Sequence, residues 1–209
     1  SHGEYTDYRY KGDAGLLRES NPQAYTAAWS HYYEIIALVN VMLPYIDRVE
    51  MSQERRDFYK GQVYFTKALA YFELGRKWGD CPVIRDEVEY APITYSSWVE
   101  VIDYALELAR EAVRLLPDYS EMTDYKGNSI TYKCTPNKGA AQALLANLCA
   151  WKAGCKYMAQ PEEATYDERA LWVEADSVCT ALISSGIYKL ANTPEEVCTS
   201  TLVGSDAES

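Results

Sequence analysis

Tyr64-Phe65-Thr66-Lys67-Ala68-Leu69-Ala70-Tyr71-Phe72-Glu73-Leu74, running on to Trp78-Gly79-Asp80-Cys81-Pro82, decides the fold class. Phe58, Phe65 and Phe72 recur every seven residues, with Val63 and Leu69 close to that stripe. That period predicts a helix from Ser52, its N-cap, to Lys77. Gly79 ends it as a C-cap, and Pro82 forbids continuation. The same spacing recurs on both sides. Between Ala24 and Asp47, Trp29, Tyr32, Ile36, Val39, Leu43 and Ile46 fall at threes and fours. Ser97-Trp98-Val99-Glu100 reads as a capping box opening a stripe of Trp98, Val101, Ile102, Ala105, Leu108, Ala109, Ala112, Leu115 and Leu116, which Pro117 closes.

Further along, Thr135 and Pro136 read as N-cap and first position of a helix carrying Ala141, Leu144, Leu145, Leu148 and Trp151. Thr165-Tyr166-Asp167-Glu168 reads as another capping box. It precedes Leu171, Trp172, Ala175, Val178, Cys179, Leu182 and Ile183, with Gly186 as C-cap. Tyr188-Lys189-Leu190 looks extended, and Thr193-Pro194-Glu195-Glu196 announces one more helix. Loops are expected at 82–95 and 118–134, with an extended piece at Ser129–Lys133. The helices come in antiparallel pairs, as in tetratricopeptide-like solenoids. The expected fold is all-α: a right-handed superhelical scaffold with long irregular loops. Residues 1–23 are expected to form an extended N-terminal segment, 24–192 the helical domain, and 193–209 a short C-terminal segment.

The 209 residues are 48% hydrophobic and 24% charged, an ordinary globular composition. Twenty basic against 31 acidic residues give a net charge of -11. That excludes a nucleic-acid binder, which needs a basic footprint, and charge-driven docking on anionic lipid. No run of 18 apolar residues exists to span a bilayer. Ser1-His2-Gly3-Glu4-Tyr5 lacks the regions of a signal peptide, so the chain is expected to be cytosolic or to follow a removed leader. The two histidines, His2 and His31, exclude a His-rich metal site. The six cysteines show no C-x-x-C spacing, and most are expected to be buried small hydrophobes, with disulfides left open. No Gly-rich phosphate loop, G-x-S-x-G or Cys–His dyad appears, and no pair of carboxylates is spaced as a glycosidase requires. No enzyme and no cofactor is expected. The aromatic bias is toward 19 Tyr and 5 Trp against 3 Phe, and tyrosine suits half-wet surfaces.

Four ordered segments resemble the SusD/RagB family of outer-membrane nutrient-binding lipoproteins. Trp29, Tyr33, Ile36 and Asn40 match its W-x-x-x-Y-x-x-I-x-x-x-N helix. The stretch from Tyr64 to Leu74, with Trp78-Gly79-Asp80-Cys81-Pro82-Val83-Ile84, resembles its Y-F-x-L and W-G-D-x-P-L elements. Lys138 to Ala146 resembles its small-residue helix. Trp172 to Ala175, leading to Ser185-Gly186-Ile187-Tyr188-Lys189-Leu190, resembles its S-G-x-Y-x-L end. Lys67 stands where the family usually has Arg, and members are usually much longer, which implies a portion of a longer protein.

The resemblance implies a lipid-anchored protein on the extracellular face of the outer membrane. It would capture oligosaccharide or another nutrient for a SusC-like TonB-dependent transporter. Its lipidated cysteine would lie outside this sequence. The rival expectation is a helical-repeat scaffold that binds protein alone. Saccharide recognition uses exposed aromatic faces, so Tyr5, Tyr8, Tyr10, Tyr90 and Tyr95 are the candidate ligand contacts. The bland alternative is a tethering strand for the first three and loop anchors for Tyr90 and Tyr95. Tyr125 and Tyr132 remain further candidates. Trp29, Trp98, Trp151 and Trp172 are expected in the core. Trp78 is expected to plug a helix end, Gly79 and Pro82 to shape the turn, and Asp80 to cap or orient it. Asn40, on an apolar face, is expected to bond a neighbouring helix.

Overall fold

The computed structural model describes residues 29–85, 93–130 and 134–201. The helices are α1 (Ser30–Arg48), α2 (Gln53–Trp78), α3 (Trp98–Leu115), α4 (Lys138–Gly154) and α5 (Glu168–Ser184). A single turn, Pro194–Glu196, runs into a π-type turn at Val197–Thr201. Each helix packs on the next in sequence: α1 on α2, α2 on α3, α3 on α4, α4 on α5. This is the expected all-α, tetratricopeptide-like array.

The start signals act largely as the sequence predicts. Ser52 Oγ accepts the Arg55 N–H. Ser97 and Glu100 form both halves of the capping box, at 3.3 and 3.2 Å. Two caps differ from expectation. α4 is capped by Asn137, whose Oδ1 accepts from Ala140 N at 2.9 Å, rather than by Thr135 with Pro136 inside the helix. α5 is capped by Asp167, not Thr165. In both cases an Asx side chain nearer the first turn satisfies the orphan N–H groups.

The core lies along the α2–α3–α4 contacts. Phe72, Leu74, Ile102, Leu106 and Leu148 are fully or almost fully buried. α2 and α3 approach closely because Gly61 and Gly75 carry no Cβ. One added there would sit 2.7 Å from Leu116 Cγ and from Ile102 Cδ1 respectively. Gly139 similarly makes room for the Tyr188 ring, and Tyr188 donates to Asn137 Oδ1 at 2.9 Å. Gly186, at φ +68°, supplies the reversal that returns Tyr188 to the start of α4.

Several predicted core positions lie elsewhere. Leu69 is 40% exposed, because it lies about 100° around the helix from the fully buried Ala68. On α5, Leu171 and Ala175 are buried, whereas Trp172, Cys179 and Ile183 are exposed. Among the described residues α5 packs mainly on α4, so it buries one stripe. The cysteines also depart from expectation. All six are free thiols; Cys81 and Cys149 are buried, Cys155 is half-buried, and Cys134, Cys179 and Cys198 are exposed.

Candidate functional site

The stretch 79–85 that leaves α2 is a strap laid into the groove between α1 and α2, and the polar residues inside the apolar stripes hold it there. Gly79 has φ +77° and ψ −112°, a conformation that favours glycine, and it turns the chain out of α2. Asp80 Oδ1 accepts the Trp98 N–H at 2.8 Å, which fixes the turn to the start of α3. Cys81 and Ser96 exchange backbone hydrogen bonds of 3.1 and 3.0 Å. Tyr33 donates to the Pro82 carbonyl at 2.8 Å. The Tyr71 hydroxyl accepts from Ile84 N at 2.8 Å and donates to Ile84 O at 3.1 Å. Asn40 Nδ2 reaches the same carbonyl at 3.5 Å, and Lys67 Nζ donates to Arg85 O at 2.9 Å.

Asn40, expected to bond a neighbouring helix, reaches the strap. The strap occupies the groove, and its carbonyls need donors there. Burial pushes the Tyr33 and Tyr71 phenols and the Cys81 thiol above their ordinary ranges, so all three stay protonated.

All five tryptophans gather at this end of the array: Trp29 before α1, Trp78 ending α2, Trp98 opening α3, Trp151 late in α4 and Trp172 early in α5. Trp98 and Trp151 meet edge to face at 5.4 Å, inside the core as expected. Tyr32 meets Trp78 at 5.7 Å, and Lys77 Nζ bonds the Tyr32 hydroxyl at 2.6 Å. Trp78 is the last residue of α2. Trp29 packs against the core, edge-on to Tyr33 at 5.7 Å, and Tyr95 stacks on it at 5.8 Å and 28°. Tyr95 remains 64% exposed. Trp172 is not in the core; it is 49% exposed and lies over the end of α4, where a Cβ on Gly154 would be 4.0 Å from its ring.

Of the candidate ligand contacts, Tyr95 lies on this surface. Tyr5, Tyr8, Tyr10 and Tyr90 lie outside the described residues, as does Tyr132. Tyr125 is 78% exposed at the other end of the array, in a turn where Asp124 accepts from Lys126 N and Asn128 N. The sequence alone does not mark Tyr33, Lys67 and Tyr71 as strap anchors. Their signal is a hydroxyl or ammonium placed on an otherwise apolar stripe.

The far end also holds a groove of about 490 Å³ between Ser52, Glu54, Asp57, Leu115, Pro117 and Glu121. Arg55, at this groove, is committed to the loop, donating to Thr123 O, Thr123 Oγ1 and Asp124 O at 2.7, 2.9 and 2.6 Å. No metal-ligand cluster occurs among the described residues.

Solved structures share this architecture. A SusD superfamily protein from Parabacteroides distasonis matches with a TM-score of 0.69 and 23% identity, over 92% of this chain and 37% of its own. A laminarin-binding SusD-like protein matches at 0.63 and 21%, over 82% and 34%. Surface glycan-binding protein A from Bacteroides fluxus matches at 0.64 and 14%, over 84% and 33%. At these identities the likeness is one of fold, and the chain spans about a third of the length of these structures. No curated protein matches significantly. The sequence match is more specific. Residues 11–149 fit the SusD-like family described as "Starch-binding associating with outer membrane". That match takes in the strap, its anchors and the tryptophans of α1 to α3, so the chain belongs to the SusD-like family.

Proposed function

We propose that this chain is part of a glycan-binding protein of the outer-membrane surface, a binding protein rather than an enzyme. It captures oligosaccharide and passes it to a SusC-like TonB-dependent transporter, and a lipid anchor holds it at the extracellular face. The observation that carries the reading is Tyr95. One face of its ring is stacked on Trp29 while the side chain stays 64% exposed, beside a strap hydrogen-bonded to two helices. A ring held this way presents a rigid apolar face to the C–H surface of a sugar, with little rotamer entropy left to lose. The family description and the named laminarin- and glycan-binding relatives support a saccharide as the ligand. Tyr5, Tyr8, Tyr10 and Tyr90 are proposed as further contacts.

The test is calorimetric titration with starch- and laminarin-derived oligosaccharides. Tyr95→Ala should weaken binding by about tenfold, the loss of one aromatic contact. The absence of any saccharide binding would refute the glycan reading. Unchanged affinity in Tyr95→Ala would remove Tyr95 from the site.

A further inference from the structure

Trp29, Tyr33, Ile36 and Asn40 follow one another in steps of four, three and four, so they share one face of α1. Ile36 is fully buried. The other three meet the connection between α2 and α3 at both of its ends. Asn40 Nδ2 reaches Ile84 O, Tyr33 donates to Pro82 O, and Trp29 stacks on the Tyr95 ring.

Tyr33 touches both ends. Its ring meets Trp29 edge to face at 5.7 Å and 89°, and its backbone N–H donates to Trp29 O at 3.4 Å. Its hydroxyl is committed to Pro82 O at 2.8 Å. Beside that carbonyl, Cys81 exchanges two backbone hydrogen bonds with Ser96, the residue after Tyr95. Tyr95 is therefore set from two directions, its ring by Trp29 and its backbone by the Cys81–Ser96 pair. Tyr33 braces both. Burial keeps its phenol protonated, so it remains a donor. Tyr33→Phe would keep the edge contact with Trp29 and take this donor from Pro82 O.

We propose that Tyr33 is a positioning residue for saccharide. Through Pro82 and the Cys81–Ser96 bridge, its hydroxyl holds the Tyr95 ring in the pose that meets the sugar. This rests on the glycan reading of Tyr95, and it adds that affinity depends on a hydroxyl committed to the strap.

Two measurements on Tyr33→Phe test it, once circular dichroism shows the helices intact. The first is amide hydrogen exchange without ligand. The Ser96 and Cys81 amides should exchange about fivefold to tenfold faster than in the parent chain, the loss of one hydrogen bond. The Ala105 and Ala109 amides within α3 should not change. The second is calorimetric titration with starch- and laminarin-derived oligosaccharides. Tyr33→Phe should weaken binding about threefold to tenfold, and should weaken it no further in the Tyr95→Ala background. A side chain serving stability alone would lower the melting temperature and leave the affinity of the folded protein unchanged. Unaltered exchange at Ser96 and Cys81 overturns the proposal, as does unaltered affinity in Tyr33→Phe. With the parent chain binding, a loss that adds to that of Tyr95→Ala sinks this proposal alone. A parent chain that binds no oligosaccharide sinks the glycan reading and this proposal with it.

Discussion

Tyr71 shows how much one atom can decide. It is fully buried and stands where an apolar stripe could carry Phe, yet its hydroxyl makes two hydrogen bonds to Ile84 and fixes the strap. The neighbouring Phe72 does the opposite job. It is 2% exposed in the main core and touches Trp151 edge-on at 6.3 Å. Phe72→Ala should cost about 3–5 kcal/mol, read from urea denaturation. Phe65, half-buried at the edge of the core, should cost less. A loss under about 1 kcal/mol at Phe72 would contradict its placement. At this scale the sequence was legible where residue type and period agreed. Asn40 is buried and bonds a backbone carbonyl. Its partner was not legible, because Ile84 lies 44 residues away and nothing local marks which carbonyl will come to it.

Helix ends separate local chemistry from tertiary choice. The capping box of α3 is local, since Ser97 and Glu100 satisfy each other's backbone N–H groups three residues apart. Ser97→Ala should lower stability by about 1 kcal/mol. At α4, two side chains able to cap stand two residues apart, Thr135 and Asn137. Asn137 is the cap that also receives the Tyr188 hydroxyl from 51 residues downstream. Asn137→Ala should therefore cost about 1 kcal/mol or more, and Thr135→Ala close to nothing. Thermal denaturation of the two variants side by side checks this, and equal losses would restore Thr135 as the cap.

The whole molecule carries a pH signature in its buried weak acids. Burial holds the Cys149 thiol up from its ordinary 9.0 to about 12, and it raises Cys81, Tyr33 and Tyr71 as well. The folded state keeps these protons where the unfolded chain would release them. Their contribution is therefore complete below about pH 9 and is lost as pH rises beyond it. The Glu174 carboxyl is held below its ordinary value by Arg110, 2.7–2.8 Å away, so that contribution is present above the carboxylate range and fades in acid. The urea midpoint should be level near neutrality and fall from about pH 9 to 11, with a shallower fall in Cys149→Ala. A profile level to about pH 11 would rule out this assignment.

The sequence by itself determined the helices, most of their ends, the Gly79–Pro82 turn and the family pattern. These rest on periodicity and on contacts within a few residues. Tertiary structure alone decided that Trp172 faces solvent, that the polar residues of α1 and α2 hold a strap, and that all five tryptophans share one end. The period of a helix shows which residues share a face. Which neighbour covers that face depends on contacts tens of residues apart, and those exist only once the chain has packed.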